Sequence, residues 1–171
     1  MCGIAGVIGA IDASLEAAVE KMMSAESHRG PDDSGIYRSS GGAGVVLGFR
    51  RLAIMDLTSD GHQPMEDHES GNVVAFNGEI YNFAELRSDL ERNGVHFRSR
   101  GDTEVLLRGY GRLGADILPR LRGMYGFAIY DARRREVLIA RDRLGIKPLY
   151  YATRTGSPCR SVARASRSRA A

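Results

Sequence analysis

Cysteine is almost absent from this sequence. Cys2 and Cys159 are the only two, too few for a disulfide framework, and the default is a reduced, cytosolic setting. No apolar run approaches the length of a membrane span. The N-terminus lacks a basic segment and a cleavage site, and Gly stands at position 3, one place too late for myristoylation. Acidic residues vanish at the other end: the last 18 residues carry five arginines and no Asp or Glu, so the first 153 are net −2 although the whole chain is +3. The basicity belongs to the tail, and the body has no nucleic-acid signature. The four histidines, with two in the polar stretch 56–71 (His62 and His68), show no metal-ligand spacing on a rigid element and read as structural or solvated.

What the chain does have is a reactive start, Met1-Cys2-Gly3-Ile4-Ala5-Gly6. Removal of Met1 would leave a thiol and a free α-amine on one terminal residue. Such a pair is a nucleophile with its own base, because the amine takes the thiol proton directly or through one water. An α-amine titrates near ~7.7–8.0 and a free thiol near ~8.5, so the exchange suits neutral pH. The plainer alternative is that Cys2 is a small apolar residue at the start of a buried strand.

At 171 residues the chain fits one domain with its own core. Residues 2–9 read as a buried strand, followed by a helix capped by Asp12 with Leu15, Val19, Met22 and Met23 at helical spacing. The stretch from Ser27 to Gly35 is dense in turn formers, and an ordered polar loop of this kind tends to border a site. Strands are expected at 36–38 and 43–55 around a Gly41-Gly42 turn, with Arg50 and Arg51 on opposite faces. A strand at 73–76 runs into Asn77-Gly78-Glu79-Ile80-Tyr81-Asn82, and Asn82 with Glu85 is a capping pattern for a helix ending at Gly94. Asp102 reads as the N-cap of the next helix. The run Gly109-Tyr110-Gly111-Arg112-Leu113-Gly114 matches the dinucleotide fingerprint in letters but neither follows a strand nor opens a helix, so these glycines are read as a helix end. A hairpin is expected across 131–135, then a turn into one more strand at 141–151. Strands and about three helices in clusters indicate a layered α+β domain. From Gly156 no period remains that could form a core face, and 154–171 is expected to be a disordered Arg/Ser/Ala-rich tail.

Six motifs in this order carry a resemblance: Met1-Cys2-Gly3-Ile4, His28-Arg29-Gly30-Pro31-Asp32, Arg51-Leu52-Ala53-Ile54, Asn77 to Asn82, Gly101-Asp102-Thr103-Glu104, and Arg141-Asp142 through Tyr151. Together they resemble the class II glutamine amidotransferases, and most closely the N-terminal glutaminase half of the glutamine-hydrolysing asparagine synthetases, over residues 2–153. The resemblance implies the four-layer αββα sandwich of the N-terminal-nucleophile hydrolases. It implies Cys2 as nucleophile on the glutamine amide, with Asn77 and the Gly78 N–H as oxyanion donors. It also implies Arg51 for the substrate carboxylate, Asp102 and Glu79 for its ammonium end, and the backbone of Leu52, Ala53, Ile54 and Met55 lining the substrate. A bidentate guanidinium suits a carboxylate, and a rim ion pair for Arg51 or a cap for Asp102 are the structural alternatives.

The implied partner is L-glutamine, with no metal or cofactor for this half; ATP and Mg²⁺ would serve only a synthetase domain or subunit that acts on aspartate. No ATP-pyrophosphatase-type Ser-Gly-Gly loop is present, so complete synthetase activity is not expected from this sequence alone. Where the family continues with a Phe-Ala-Ser-Glu-like segment, this chain has Ser157-Pro158-Cys159-Arg160-Ser161 and then ends, as a shifted or truncated reading frame would produce. An inactive remnant, a glutamine-binding subunit that needs a partner, and an amidotransferase for another acceptor stay open at this point.

Overall fold

The computed structural model describes residues 1–39, 44–53 and 59–153, and the backbone of 162–163. The first sheet comes from the ends of one apolar run and a hairpin. β1 (Gly3–Gly9), β2 (Asp33–Arg38) and β3 (Gly44–Arg51) form it in the order β1-β3-β2, all antiparallel. Between β1 and β2 lies α1 (Ala13–Ala25), whose first turn is closed by Asp12 Oδ1 accepting the Leu15 N–H at 2.9 Å. The second sheet runs β4 (Met65–Glu66), β5 (Val73–Ile80), β6 (Gly123–Asp131), β7 (Glu136–Arg141) and β8 (Val162–Ala163), antiparallel except for the last pair. Helices α2 (Phe83–Arg92) and α3 (Asp102–Leu113) connect β5 to β6.

Side-chain alternation sorts these elements into four layers. Val45 and Leu47 of β3 pack with Val73 and Ala75 of β5, Tyr130 of β6 and Val137 of β7, so the two sheets face each other across one apolar layer. The other face of the first sheet presents Val46 to Val19 and Met23 of α1. The far face of the second sheet presents Val74, Phe76, Ile80 and Phe127 to Leu86, Leu90, Val105, Leu106 and Tyr110 of α2 and α3. This is the αββα sandwich, with helices only on the outside.

Several local expectations hold with altered bounds. β2 begins three residues earlier than the sequence pattern suggests, and β3 stops at Arg51. The Gly41-Gly42 turn lies outside the described residues, as does most of 154–171. The 131–135 hairpin is present, its last turn residue Arg135 in the left-handed region at φ 55°. Gly101, not Asp102, is the N-cap of α3, and Asp102 is its first residue. Asn82 is the N-cap of α2 but makes no side-chain cap bond: its amide instead bridges Arg120 O and Arg122 N. Gly109 and Gly111 sit inside α3 and only Gly114 ends it; a side chain at Gly109 would run into Ile117. The strand expected after the turn within 141–151 does not form: residues 142–151 carry no strand, and Tyr150 and Tyr151 stand 91% and 69% exposed.

Phe49 is fully buried in β3, two residues from the point where the strand delivers Arg51. Phe49→Ala is expected to cost ~3–5 kcal/mol, the usual range for emptying a buried aromatic site. Urea unfolding measures this, and a loss near ~1 kcal/mol, typical of an average substitution, would show that the layer does not rest on this ring.

Candidate functional site

The β1–β3 register pairs Gly3 with Arg50, which sets Cys2 beside Arg51 at the end of the ladder. Ile4 and Ile8 point into the inter-sheet layer, and Cys2 has their parity; Phe49 and Arg51 share the parity of Val45 and Leu47. Cys2 and Arg51 therefore emerge on the same side. The thiol is held by one peptide: Leu52 N–H donates to Cys2 Sγ at 3.4 Å, and Sγ lies 3.7 Å from Leu52 O. Arg51 is 8% exposed. Arg50 leaves by the opposite face toward α1, its Nε buried without a hydrogen-bond partner.

The turn-rich loop after α1 closes over this strand end. Asp32 N–H donates to Arg51 O at 3.0 Å, and Asp32 Oδ2 accepts the Ala53 N–H at 2.8 Å. Gly30 has no room for a side chain, since a Cβ there would meet the Arg50 carbonyl and the Arg51 nitrogen at 2.4–2.6 Å. Arg29 Nε donates to the Cys2 carbonyl at 3.3 Å. Sequence reasoning placed this loop at a site edge but assigned Arg29 and Asp32 no part. Their signal was the density of turn formers; their contacts are fixed only by packing. Ile54 and Met55, the other two expected substrate-lining residues, lie outside the described residues.

A second group is built on β5. Asn77 has the inter-sheet parity of Val73 and Ala75 and is 7% exposed, with Glu79 half-buried on the same face. Gly78 pairs with Tyr125, and a Cβ at this position would lie 2.2 Å from Met124 O, so only glycine fits. Asp102 reaches from the first turn of α3 to accept the Ile80 N–H at 2.9 Å and is 6% exposed. Burial pushes its carboxyl above the ordinary 3.8; the N–H groups of Ile80, Asp102 and Thr103 oppose this, and the Glu79 charge adds to it. Gln63, a residue the sequence did not single out, links the same elements. Its Oε1 accepts the Phe76 N–H at 2.7 Å and its Nε2 donates to Thr103 Oγ1 at 3.3 Å.

The arrangement supplies a fixed thiol, a nearly buried arginine at the neighbouring ladder position, a buried amide on the facing sheet and a buried carboxyl group behind that strand. Nucleophilic attack on a carbonyl of a small zwitterionic substrate is the chemistry these groups share. Among the described residues no three His, Cys, Asp or Glu side chains converge as metal ligands, and no helix is long and apolar enough to cross a membrane.

Comparison with known proteins gives the same reading. Asparagine synthetase [glutamine-hydrolyzing] 1 of Bacillus subtilis is 41% identical over 157 residues, covering 90% of this chain and 24% of that protein. Asparagine synthetase [glutamine-hydrolyzing] 3 of the same organism is 38% identical, covering 92% and 25%, and a rice asparagine synthetase [glutamine-hydrolyzing] is 39% identical, covering 88% and 25%. The chain thus spans about a quarter of the length of these relatives. The fold matches that of the glutamine phosphoribosylpyrophosphate amidotransferase of B. subtilis with a TM-score of 0.63 at 22% identity, over 82% of this chain and 36% of that one. The family model for the glutamine amidotransferase domain matches residues 1–170, and the chain belongs to that family.

Proposed function

We propose that this domain hydrolyses L-glutamine to glutamate and ammonia with Cys2 as nucleophile. The observation that carries the reading is the Cys2 thiol fixed on the Leu52 peptide with Arg51 beside it. In this mechanism Met1 is removed, and it is 55% exposed. The freed Cys2 amine takes the thiol proton, and the thiolate attacks the side-chain amide carbon of glutamine. Asn77 and the Gly78 N–H stabilise the oxyanion, donors worth ~3–4 kcal/mol each where one has been removed elsewhere. The C–N bond then breaks, the amine returns its proton to the departing ammonia, and water hydrolyses the thioester. Arg51 holds the substrate carboxylate; Asp102 and Glu79 serve its ammonium. Thiol, amine and fixed donors cover nucleophile, base and oxyanion, so the chemistry calls for no metal or cofactor.

The ammonia would be used by a synthetase domain or subunit of the kind the longer relatives carry, with aspartate as acceptor. That step requires an activated carboxylate, and the glycines at 109 and 111 lie within α3, where they cannot cradle a phosphate. The chain by itself is accordingly expected to turn over glutamine and, given aspartate, ATP and Mg²⁺, to form no asparagine and no AMP.

Glutamine turnover by the purified chain, with and without Met1 processing, is the direct test. Cys2→Ser is expected to lower kcat by ~10³-fold or more with the fold intact, in line with nucleophile removal in other hydrolases. Unchanged ammonia release would sink the mechanism. A tag left ahead of Cys2 should be nearly as damaging, since it removes the base.

The two adjacent arginines give an internal control. Arg51→Ala is expected to raise KM for glutamine ~10–100-fold, the value of a charged hydrogen-bonding pair. Arg50→Ala, which faces α1, is expected to leave KM within ~3-fold. Equal effects would mean that the β3 register does not select the substrate ligand.

Asp102 makes a signed prediction. Its folded carboxyl titrates above the ordinary 3.8 because it is buried, so ionisation costs stability that is absent below that pH and grows as pH rises through the raised value. Asn at this position can still accept the Ile80 N–H without charge. Asp102→Asn should therefore gain in Tm relative to the natural chain between pH 4 and 7 while binding glutamine more weakly. A variant that loses Tm across that range would assign Asp102 to the fold instead.

A further inference from the structure

Lys147 is 7% exposed, yet among the described residues its ammonium makes no ion pair, and the contact it does make is from Nζ to Met1 Sδ at 3.4 Å. A thioether is a weak acceptor, and a buried ammonium given only that partner is poorly compensated. The lysine is nevertheless held firmly. Its backbone N–H donates to Asp142 Oδ2 at 2.9 Å, beside the Ile146 N–H to Oδ1 at 2.9 Å and the Tyr125 N–H to Oδ2 at 3.2 Å. Burial alone would raise the Asp142 carboxyl, but these N–H bonds outweigh it and hold the group below the ordinary carboxylate range. The chain thus spends a buried, ionised carboxylate on aiming one cation at the residue that precedes the nucleophile.

We infer that Lys147 is a positioning residue that keeps the Cys2 α-amine in its neutral, proton-accepting form once Met1 is gone. The Met1 sulfur is five covalent bonds from the Cys2 nitrogen, so with Met1 removed the ammonium faces the new chain terminus. A like charge at that range disfavours a protonated amine, and an ammonium can donate to the lone pair of a neutral amine but not to its protonated form. This inference rests on the glutaminase reading, in which that amine is the base.

Other charged groups lie around the same point. Arg29 holds the Cys2 carbonyl from the loop after α1. Glu26, at the end of α1, packs its carboxylate over Gly3; burial raises its carboxyl, and the charges of Arg29 and His28 oppose this. Arg51 stands at the end of β3, and Asp32 is bonded to Ala53. On the lysine's own segment, Asp142 is engaged by backbone N–H groups and the Arg141 guanidinium packs against Gly145. Glu26 opposes Arg29, and Asp142 is already saturated, so the Lys147 charge is left to act on the amine.

The test is an NMR titration of the α-amine in the Met1-processed chain carrying ¹⁵N-cysteine, in the natural form and as Lys147→Met and Lys147→Arg. The Met variant is expected to titrate about one pH unit higher, the size of a close like-charge effect, and the Arg variant within about a third of a unit of the natural chain. An unshifted Met variant overturns the inference, as does an Arg variant that titrates like Met. If the Met variant fails to fold, Lys147→Gln takes its place in the same titration. The rising limb of kcat/KM for glutamine should move upward by the same amount as the amine. An amine that shifts without any glutamine turnover to follow it would leave the electrostatic inference standing and remove the glutaminase reading.

Discussion

The contact between Cys2 and the peptide of Leu52 closes a loop of fifty residues, and the site depends on it. A thiol at a free chain terminus would sample many orientations, and immobilising it costs entropy that must come from elsewhere. Here it comes from seven registered pairs between β1 and β3. Because side chains alternate, the register decides chemistry as well as shape: a slip of one residue would send Arg51 toward α1 and bring Arg50 to the thiol. The apolar residues that prevent the slip are those of the inter-sheet layer, Ile4, Ile8, Val45 and Leu47, and none of them touches a substrate. Packing energy in the sandwich is thus converted into the position of one sulfur.

The facing sheet carries the opposite kind of constraint. Asn77 and Asp102 are polar groups buried where an apolar side chain would be more stable, and burial raises the Asp102 carboxyl above its ordinary value. Such groups persist when something other than stability requires them. The Ile80 N–H and the first turn of α3 reduce the penalty without removing it. Gly78 is the steric counterpart: its bare backbone is required by the close approach of Met124 and Tyr125.

Much of this was legible in the chain because it is local or periodic. Asp12 as a cap, Val19 and Met23 in the inner stripe of α1, the 131–135 hairpin and the divergence of Arg50 from Arg51 follow from spacing alone, whereas Met22, expected in the same stripe, is 41% exposed. The roles of Asn77, Gly78, Glu79 and Asp102 came from the family resemblance; nothing in their spacing shows that Asp102 reaches Ile80, 22 residues away. The part played by Arg29 is not legible in its motif, since its bond to the Cys2 carbonyl is purely tertiary. The strand expected within 141–151 also failed. Patterning alone does not supply a sheet edge to pair with, and the outer side of β7 pairs with Val162–Ala163.

That segment is better understood through Asp142 than through its own apolar residues, several of which face outward. One carboxylate gathers the N–H groups of Tyr125, Ile146 and Lys147. Tyr125 is the β-partner of Gly78, so the same group that binds the Lys147 N–H also fixes the strand paired with Gly78. In the glutaminase mechanism proposed above, base and oxyanion donors act on one reacting group, and their relative position tolerates little error. A turn pinned by a short, buried, ionised side chain gives that precision more cheaply than another strand would. It explains why β7 is followed by an acid and a sharp Gly145 turn at φ 68°.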